Sequence, residues 1–215
     1  MKIKTLDEQT INQIAAGEVI ENPASVVKEL VENAVDAGAS QIKVEVFSGG
    51  FQRIIVSDNG SGMNQQDALL CFTRHATSKI QKVEDLSYLS TMGFRGEALS
   101  SIAAISKVTL TTSYEAEGIK LEVEAGRVLS IDPSPRVQGS TIEVRSLFYN
   151  VPARKKFQKS VSGSSAEITK LMTFLSLAYP EIGLSLWHQD KKVFDFCSSE
   201  NKQEEMLVRA KTLLS

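Results

Sequence analysis

Glu29 and Asn33 stand four residues apart in the segment Pro23 to Ala37. On a helix their side chains lie one above the other on one face. A carboxylate beside an amide oxygen can orient a water molecule and hold a hard divalent cation through oxygen ligands. Ser25 and Asp36 project to the same side, opposite an apolar stripe of Ala24, Val27, Leu30, Val31 and Ala34. The same pattern also suits a solvated helix face. A second group, Asp58-Asn59-Gly60-Ser61-Gly62-Met63, follows directly on an apolar strand pattern. An aspartate at a strand end can accept a hydrogen bond from an exocyclic amine, and glycines let backbone approach a ligand closely. Asp-Asn-Gly is equally ordinary turn chemistry. A third group, Met92-Gly93-Phe94-Arg95-Gly96-Glu97-Ala98-Leu99, opens a predicted helix. Helix starts offer free N–H groups and a positive dipole end to phosphate. Upstream, Thr77-Ser78-Lys79 adds two hydroxyls and a cation. A turn followed by an N-cap is the plainer reading of that segment.

Several chemistries are excluded. No Gly-x-x-x-x-Gly-Lys-Ser/Thr occurs, so a Walker A loop is ruled out. Gly60-x-Gly62 lacks the third glycine of a dinucleotide fingerprint, and no Gly-x-Ser-x-Gly elbow is present. The two histidines, His75 and His188, and two cysteines, Cys71 and Cys197, match no zinc-ligand spacing. The cysteines read as thiols of a reducing compartment.

These groups need elements to position them. Asn22 suits an N-cap, Pro23 the first helical position and Gly38 the stop of a helix between them. A short apolar segment, Ile11 to Ala16, precedes it. Ile42, Val44 and Val46 alternate with Lys43 and Glu45 as a half-buried strand. Gly49-Gly50 turns the chain into a returning strand from Phe51 to Ser57. A helix is expected from Asn64 to Phe72, a long mobile loop over 74–96, and a short helix from Glu97 to Ile105. Long loops are uncommon unless functional. Strands are expected at 107–113, 118–124, 127–131 and 140–146. A basic connector, Pro152 to Ser160, leads to a flexible Ser/Gly segment over 160–165. A helix from Ala166 to Ala178 and a hairpin of Leu184–His188 with Lys192–Phe196 follow. The stretch Asn201 to Leu214 is amphipathic and ends without a cap, which suggests that the natural chain continues. Helices mixed with mostly hairpin-linked strands predict an α/β (α+β) sandwich, a mixed sheet covered by helices on one face.

The 215 residues fit one large domain, or one with the start of another. Hydrophobic residues make up 42% and charged residues 23%, ordinary for a globular protein. No apolar run approaches the roughly 18 residues of a membrane span. The net charge of -2 gives no general affinity for nucleic acid, so any basic surface must be local. Arg154, Lys155, Lys156 and Lys159 form one such cluster. They are candidate DNA contacts, and a solvated basic loop is the alternative.

Read together and in this order, the segments resemble the GHKL ATPases: type II topoisomerase ATPase domains, heat-shock chaperone ATPases, sensor histidine kinases and MutL. The shared pattern is Glu-x-x-x-Asn on a helix, Asp-x-Gly-x-Gly after a strand, a glycine-containing lid and a late Gly-x-Thr strand. Here these are Glu29 and Asn33, Asp58 with Gly60 and Gly62, Gly93 to Gly96, and Gly139-Ser140-Thr141. Longer strings resemble the bacterial MutL family of DNA mismatch repair proteins. They are Gln13-Ile14-Ala15-Ala16-Gly17-Glu18-Val19, Lys28 to Asn33 with Asp36-Ala37-Gly38-Ala39, Arg74 to Lys79, Gly93 to Leu99, and Leu147 to Phe157. The similarity covers most of residues 5–160.

The resemblance implies roles. Glu29 would be the general base, and Asn33 would bind Mg²⁺. Asp36, Ala37, Gly60, Gly62 and Met63 would line the ATP site. Asp58 would read the adenine amino group with Thr141 in support. Thr77, Ser78, Lys79, Gly93, Phe94, Arg95, Gly96, Glu97, Ala98 and Leu99 would close over the triphosphate, as a lid spanning about 74–97. The implied division is an ATPase domain over 1–200. Residues 201–215 would begin a connection to a second domain, which holds a phosphate-contacting lysine in relatives. Weak or absent turnover is therefore expected of this chain, and a non-hydrolysing ATP-dependent interaction module is the alternative. The implied partners are a second copy on ATP binding, the mismatch sensor MutS, a strand-nicking nuclease and DNA. The implied location is cytoplasmic, near the nucleoid. A protein kinase reading lacks a phosphoacceptor-histidine module.

Overall fold

The computed structural model describes residues 5, 7–76, 96–115, 117–199 and 201–214. Strict alternation builds its sheet. In β1 (Gln41–Phe47) Ile42, Val44 and Val46 are buried, whereas Gln41 and Lys43 are exposed. β2 (Arg53–Asp58) returns antiparallel after a 3-10 turn at Ser48–Gly50, with Val44 opposite Val56. β3 (Lys107–Tyr114), β4 (Glu117–Glu124), β5 (Arg127–Pro133) and β6 (Gly139–Arg145) follow. The hairpin of β7 (Gly183–His188) and β8 (Lys191–Phe196) completes the set. The eight strands run β5-β4-β3-β6-β2-β1-β7-β8. Neighbours are antiparallel except β1 and β7, which pair in parallel with Ile42 beside Leu184.

One face of this mixed sheet is apolar and buried, formed by residues such as Ile54, Val56, Leu110, Leu121, Ile142, Val144, Leu184 and Leu186. The other is polar and carries surface ion pairs such as Lys43–Glu45 at 3.0 Å and Lys120–Glu122 at 2.7 Å. The fold class is the expected one: a mixed sheet with helices on one face. α2 (Pro23–Asp36) packs over β1 and β2, α4 (Ala98–Ala104) over β3 and β4, and α6 (Val161–Ala178) over β7 and against α2. α3 (Gln65–Leu70) is short and capped by the Asn64 side chain.

Three local expectations are corrected. The apolar segment from Ile11 to Ala16 is the middle of a full helix, α1 (Glu8–Val19), capped by Asp7 and packed on α4. The basic connector contains a helical turn, α5 (Pro152–Lys156). The segment at 160–165 is no flexible linker but the first turns of α6. Its N-cap Ser160 accepts from Gly163 N, and Ser164 donates its hydroxyl to the Gly49 carbonyl at 2.7 Å. Tertiary packing outweighs the weak helix propensity of serine and glycine here. The amphipathic stretch near the end is α7 (Lys202–Leu214), which packs on α6. Its Arg209 is fully buried. The guanidinium donates to the carbonyls of Ser176, Tyr179, Pro180, Ile182 and Cys197 and to Glu205. A buried guanidinium with every donor used is an anchor rather than a solvated charge.

Candidate functional site: a groove between two helices

The sheet order places α2 over β1 and β2 and α4 over β3 and β4, with β6 between them, so the strip of sheet between the two helices is the floor of the candidate groove. Asp58 ends β2 on this floor. Directly opposite it on β6 is Ser140, and opposite Ser140 on β3 is Thr112. Residues facing each other across antiparallel strands share a face. Asp58, Ser140 and Thr112 therefore form one polar row among buried apolar neighbours. The row is tied together. Ser140 N donates to Asp58 Oδ1 at 3.3 Å, and the hydroxyls of Ser140 and Thr112 lie 3.0 Å apart. Met63 N donates to Thr112 Oγ1 at 2.9 Å.

Asp58 is held through one of its two carboxylate oxygens. Its Oδ1 takes N–H bonds from Gly60 at 2.8 Å and Ser140, whereas Oδ2 has no hydrogen bond among the described residues. Burial pushes its carboxyl above the ordinary aspartate value; the Gly60 and Ser140 N–H groups and the Arg136 charge oppose that shift.

The wall comes from α2. Asn22 caps it through Ser25 N, and Pro23 sits in its first turn. Its apolar stripe is buried, and Ser25, Glu29, Asn33 and Ala37 follow at intervals of four on a half-buried stripe beside it. Each interval advances about 6 Å along the axis. The stripe ends on the glycine loop. The Ala37 carbonyl accepts from Ser61 N at 2.9 Å, and a Cβ added at Gly60 would lie 2.9 Å from Ala37 Cβ. Glu29 and Asn33 thus form a line running toward the loop that begins at Asp58. Lys28 Nζ lies 3.6 Å from Glu29 Oε1 and 2.9 Å from Glu32 Oε2. Asp36 occupies the last turn of α2.

The opposite wall is α4. Gly96 has φ of 61°, and Glu97 precedes α4 without a side-chain cap, so Ala98 and Leu99 occupy an uncapped first turn. His75 Nδ1 lies 3.2 Å from Glu97 Oε1, which draws residue 75 up to residue 97. Of the lid, Thr77, Ser78, Lys79, Gly93, Phe94 and Arg95 lie outside the described residues.

One sequence assignment is corrected. Thr141 does not face Asp58. Side chains alternate along a strand, so Thr141 lies on the polar face, opposite Ser57 and bonded to its hydroxyl at 2.9 Å. The hydroxyl that shares the floor with Asp58 belongs to Ser140. Ile142 and Val144 carried that signal, because they fix the buried parity of β6. Sequence reasoning also missed Thr112 and Arg136. Asn59, by contrast, turns away from the groove and holds Ser40 N and Gln41 N at 2.9 and 2.8 Å.

Two hollows open among the described residues. One of about 380 Å³ is lined by Lys107, Glu122, Leu129, Arg145 and neighbours, and another of about 160 Å³ by Lys43, Ser57, Asp58, Ser185 and neighbours. Neither includes Glu29 or Asn33. The first draws chiefly on residues of the polar face and the β4–β5 edge; the second shares Asp58 but joins it to Lys43, Ser57 and Ser185 rather than to Ser140 and Thr112, so the groove is the better candidate.

The basic cluster is divided. Arg154 donates to the Gly17 carbonyl at 2.6 Å and covers that residue, so it fastens α1. Lys159 pairs with Glu167 at 3.0 Å. Lys155 and Lys156 are exposed on α5.

Residues 20–134, more than half of the chain, match the family of histidine kinase-, DNA gyrase B- and HSP90-like ATPases. The chain is 49% identical over 210 residues to a DNA mismatch repair protein MutL of Caldanaerobacter subterraneus subsp. tengcongensis, covering 97% of the chain and 35% of the relative. It is 48% identical to MutL of Syntrophotalea carbinolica, covering 99% of the chain and 34% of the relative. The chain thus spans about a third of the length of the curated relatives it matches. The solved Aquifex aeolicus MutL ATPase domain complexed with ADP superimposes with a TM-score of 0.69 at 32% identity, over 88% of this chain and 70% of that one. Among the described residues, no helix is long and apolar enough to cross a membrane. With the Glu29–Asn33 stripe, the Asp58 loop and the sheet order in place, these likenesses settle the family: the chain belongs to the MutL branch of the GHKL ATPases.

Proposed function

We propose that the chain binds Mg-ATP in the groove between α2 and α4 and hydrolyses it slowly, as the nucleotide switch of a mismatch repair protein. The observation that carries this reading is the meeting of the Glu29–Asn33–Ala37 stripe with the loop that begins at Asp58. Asp58 Oδ2 accepts from the exocyclic amine of adenine, with the Ser140 hydroxyl beside it. Glycines 60 and 62 let the base lie against backbone. Glu29 orients a water and takes its proton as the water attacks the terminal phosphate. Gly96 to Leu99, with Thr77 to Lys79 and Gly93 to Arg95, close over the phosphates and supply donors for the developing charge.

The donor set suits magnesium. Among the described residues no cluster of three His, Cys, Asp or Glu side chains forms a cage. Mg²⁺ typically needs only one or two protein oxygens beside the phosphates. Asn33 is the residue that would hold it through its amide oxygen; when bound, it neutralises phosphate charge.

Closing of the lid over nucleotide then favours pairing with a second copy, and hydrolysis resets the pair. MutS, a strand-nicking nuclease and DNA are the proposed partners of the whole protein. For DNA the candidate contacts narrow to Lys155 and Lys156, since Arg154 and Lys159 have internal partners.

Titration of labelled ATP with and without Mg²⁺, together with phosphate release, tests the assignment. Glu29→Gln is expected to keep nucleotide affinity and lose phosphate release. Asn33→Ala should lose the magnesium-dependent part of binding, and Asp58→Asn should lose ATP affinity altogether. Turnover by Glu29→Gln equal to wild type refutes the base assignment. Binding without phosphate release, even when the remainder of the protein is attached, supports the non-hydrolysing alternative.

A further inference from the structure

Arg136 sits on the polar face of the sheet, across from the groove, yet its guanidinium touches the groove's key strand ends. Nη2 donates to the Asp58 carbonyl at 3.1 Å, Nε to the Gly139 carbonyl at 3.2 Å, and Nη1 to Thr141 Oγ1 at 2.6 Å. The planar fork therefore spans β2 and β6 at the point where Asp58 faces Ser140. Its own segment is stiff. Pro133 and Pro135 flank Ser134, whose N–H donates to the Gly118 carbonyl at 2.8 Å. Ser134 packs so closely on Gly118 that a Cβ there would overlap its carbonyl.

We propose that Arg136 is a positioning residue for base recognition: from the back of the sheet it fixes the height of Asp58 against Gly139 and Ser140, and so aims Asp58 Oδ2 at the amine of a bound purine. This rests on the reading of Asp58 given above. The strand ends need such a clamp. Gly139 has φ of 118°, and a Cβ there would overlap the Asp58 carbonyl, so the two backbones are in close approach. Both carbonyls turn toward the guanidinium, which neutralises their mutual repulsion. The guanidinium charge also favours the ionised carboxylate, the stronger acceptor for an amine. A clamp on two carbonyls and a hydroxyl holds the floor without entering it, so the residue never touches the ligand.

The test compares two nucleotides on the whole chain: Mg-ATP and the Mg complex of purine riboside triphosphate, which lacks the 6-amino group. Dissociation constants are measured for wild type, Arg136→Gln and Arg136→Lys, with melting curves as a control. Wild type is expected to prefer ATP. Arg136→Gln should lose about tenfold in ATP affinity, the worth of a hydrogen bond to a charged group, and stay within about twofold for the analogue. Arg136→Lys should recover part of the loss. If Arg136→Gln melts below the assay temperature, Thr141→Val is read instead; it removes one acceptor of the guanidinium and should show a smaller loss of the same selectivity. Equal weakening of both nucleotides, or no change for either, overturns the proposal. Absence of any preference in wild type overturns the reading of Asp58 itself, whereas a preference untouched by Arg136→Gln leaves that reading standing and removes Arg136 alone.

Discussion

Two glycines with nearly the same backbone geometry test whether the Asp58 loop is shaped by close approach or by conformation alone. Gly38 has φ of +73° and Gly62 has φ of +70°, both left-handed. A Cβ at Gly38 meets no heavy atom of the described residues within 4 Å. Gly38→Ala therefore isolates the conformational cost, about 1 kcal/mol. A Cβ at Gly62 would overlap the Ser113 carbonyl oxygen, 2.7 Å from its carbon and 3.3 Å from the Gly139 carbonyl oxygen. Ser113 cannot retreat, because β3 is held by β4 on one side and β6 on the other. Overpacking of this kind adds about 2 kcal/mol, so Gly62→Ala is expected to cost about 3 kcal/mol in all. The strain is relieved by lifting the loop, which breaks the Met63 N–Thr112 bond beside the Asp58 row. Urea denaturation gives the two stabilities, and ATP titration gives the two affinities. Gly38→Ala should leave affinity near wild type, whereas Gly62→Ala should lower it. Equal destabilisation by both substitutions, with ATP affinity intact, refutes the close-approach reasoning.

Burial holds the Asp58 carboxyl above its ordinary value of 3.8, so the folded state keeps that proton longer than the unfolded chain. Its contribution to stability is favourable at low pH and falls as pH rises from 3.8 through the raised value. Asp58→Asn should therefore flatten the stability–pH curve in that window and be at least as stable as wild type at pH 7, while nucleotide affinity is lost; a variant less stable at pH 7 contradicts this. Arg209→Met leaves five carbonyls, buried or partly buried, and the half-buried Glu205 without their partner and should cost about 3–5 kcal/mol by urea denaturation, with Arg209→Lys between, since an ammonium has only three donors. A loss below about 1 kcal/mol counts against an anchoring role for α7. The Cys71 thiol is pushed up to about 12 by burial and by the nearby Asp67, whereas Cys197 is exposed. An alkylating reagent at mildly alkaline pH should modify Cys197 alone in the native protein and both thiols after denaturation, read by mass spectrometry.

Much of this was legible from local pattern. Asn22, Pro23 and Gly38 bracket α2 because caps act within one turn, and the alternation in β1, β2 and β6 marks the buried face because strand side chains repeat every two residues. Glu29 and Asn33 share a stripe for the same local reason. Non-local contacts decided the rest. The parallel pairing of β1 with β7 joins residues some 140 positions apart, and no local signal encodes it. Ser160 to Ser165 look like a linker until Ser164 finds Gly49, and Arg209 looks like a surface charge until five distant carbonyls surround it. Likewise Thr141 fits a linear motif, but strand parity turns it to the far face and gives its place to Ser140. Spacing along the chain determines which side chains can share a face of one element; only the packing of elements determines which faces meet.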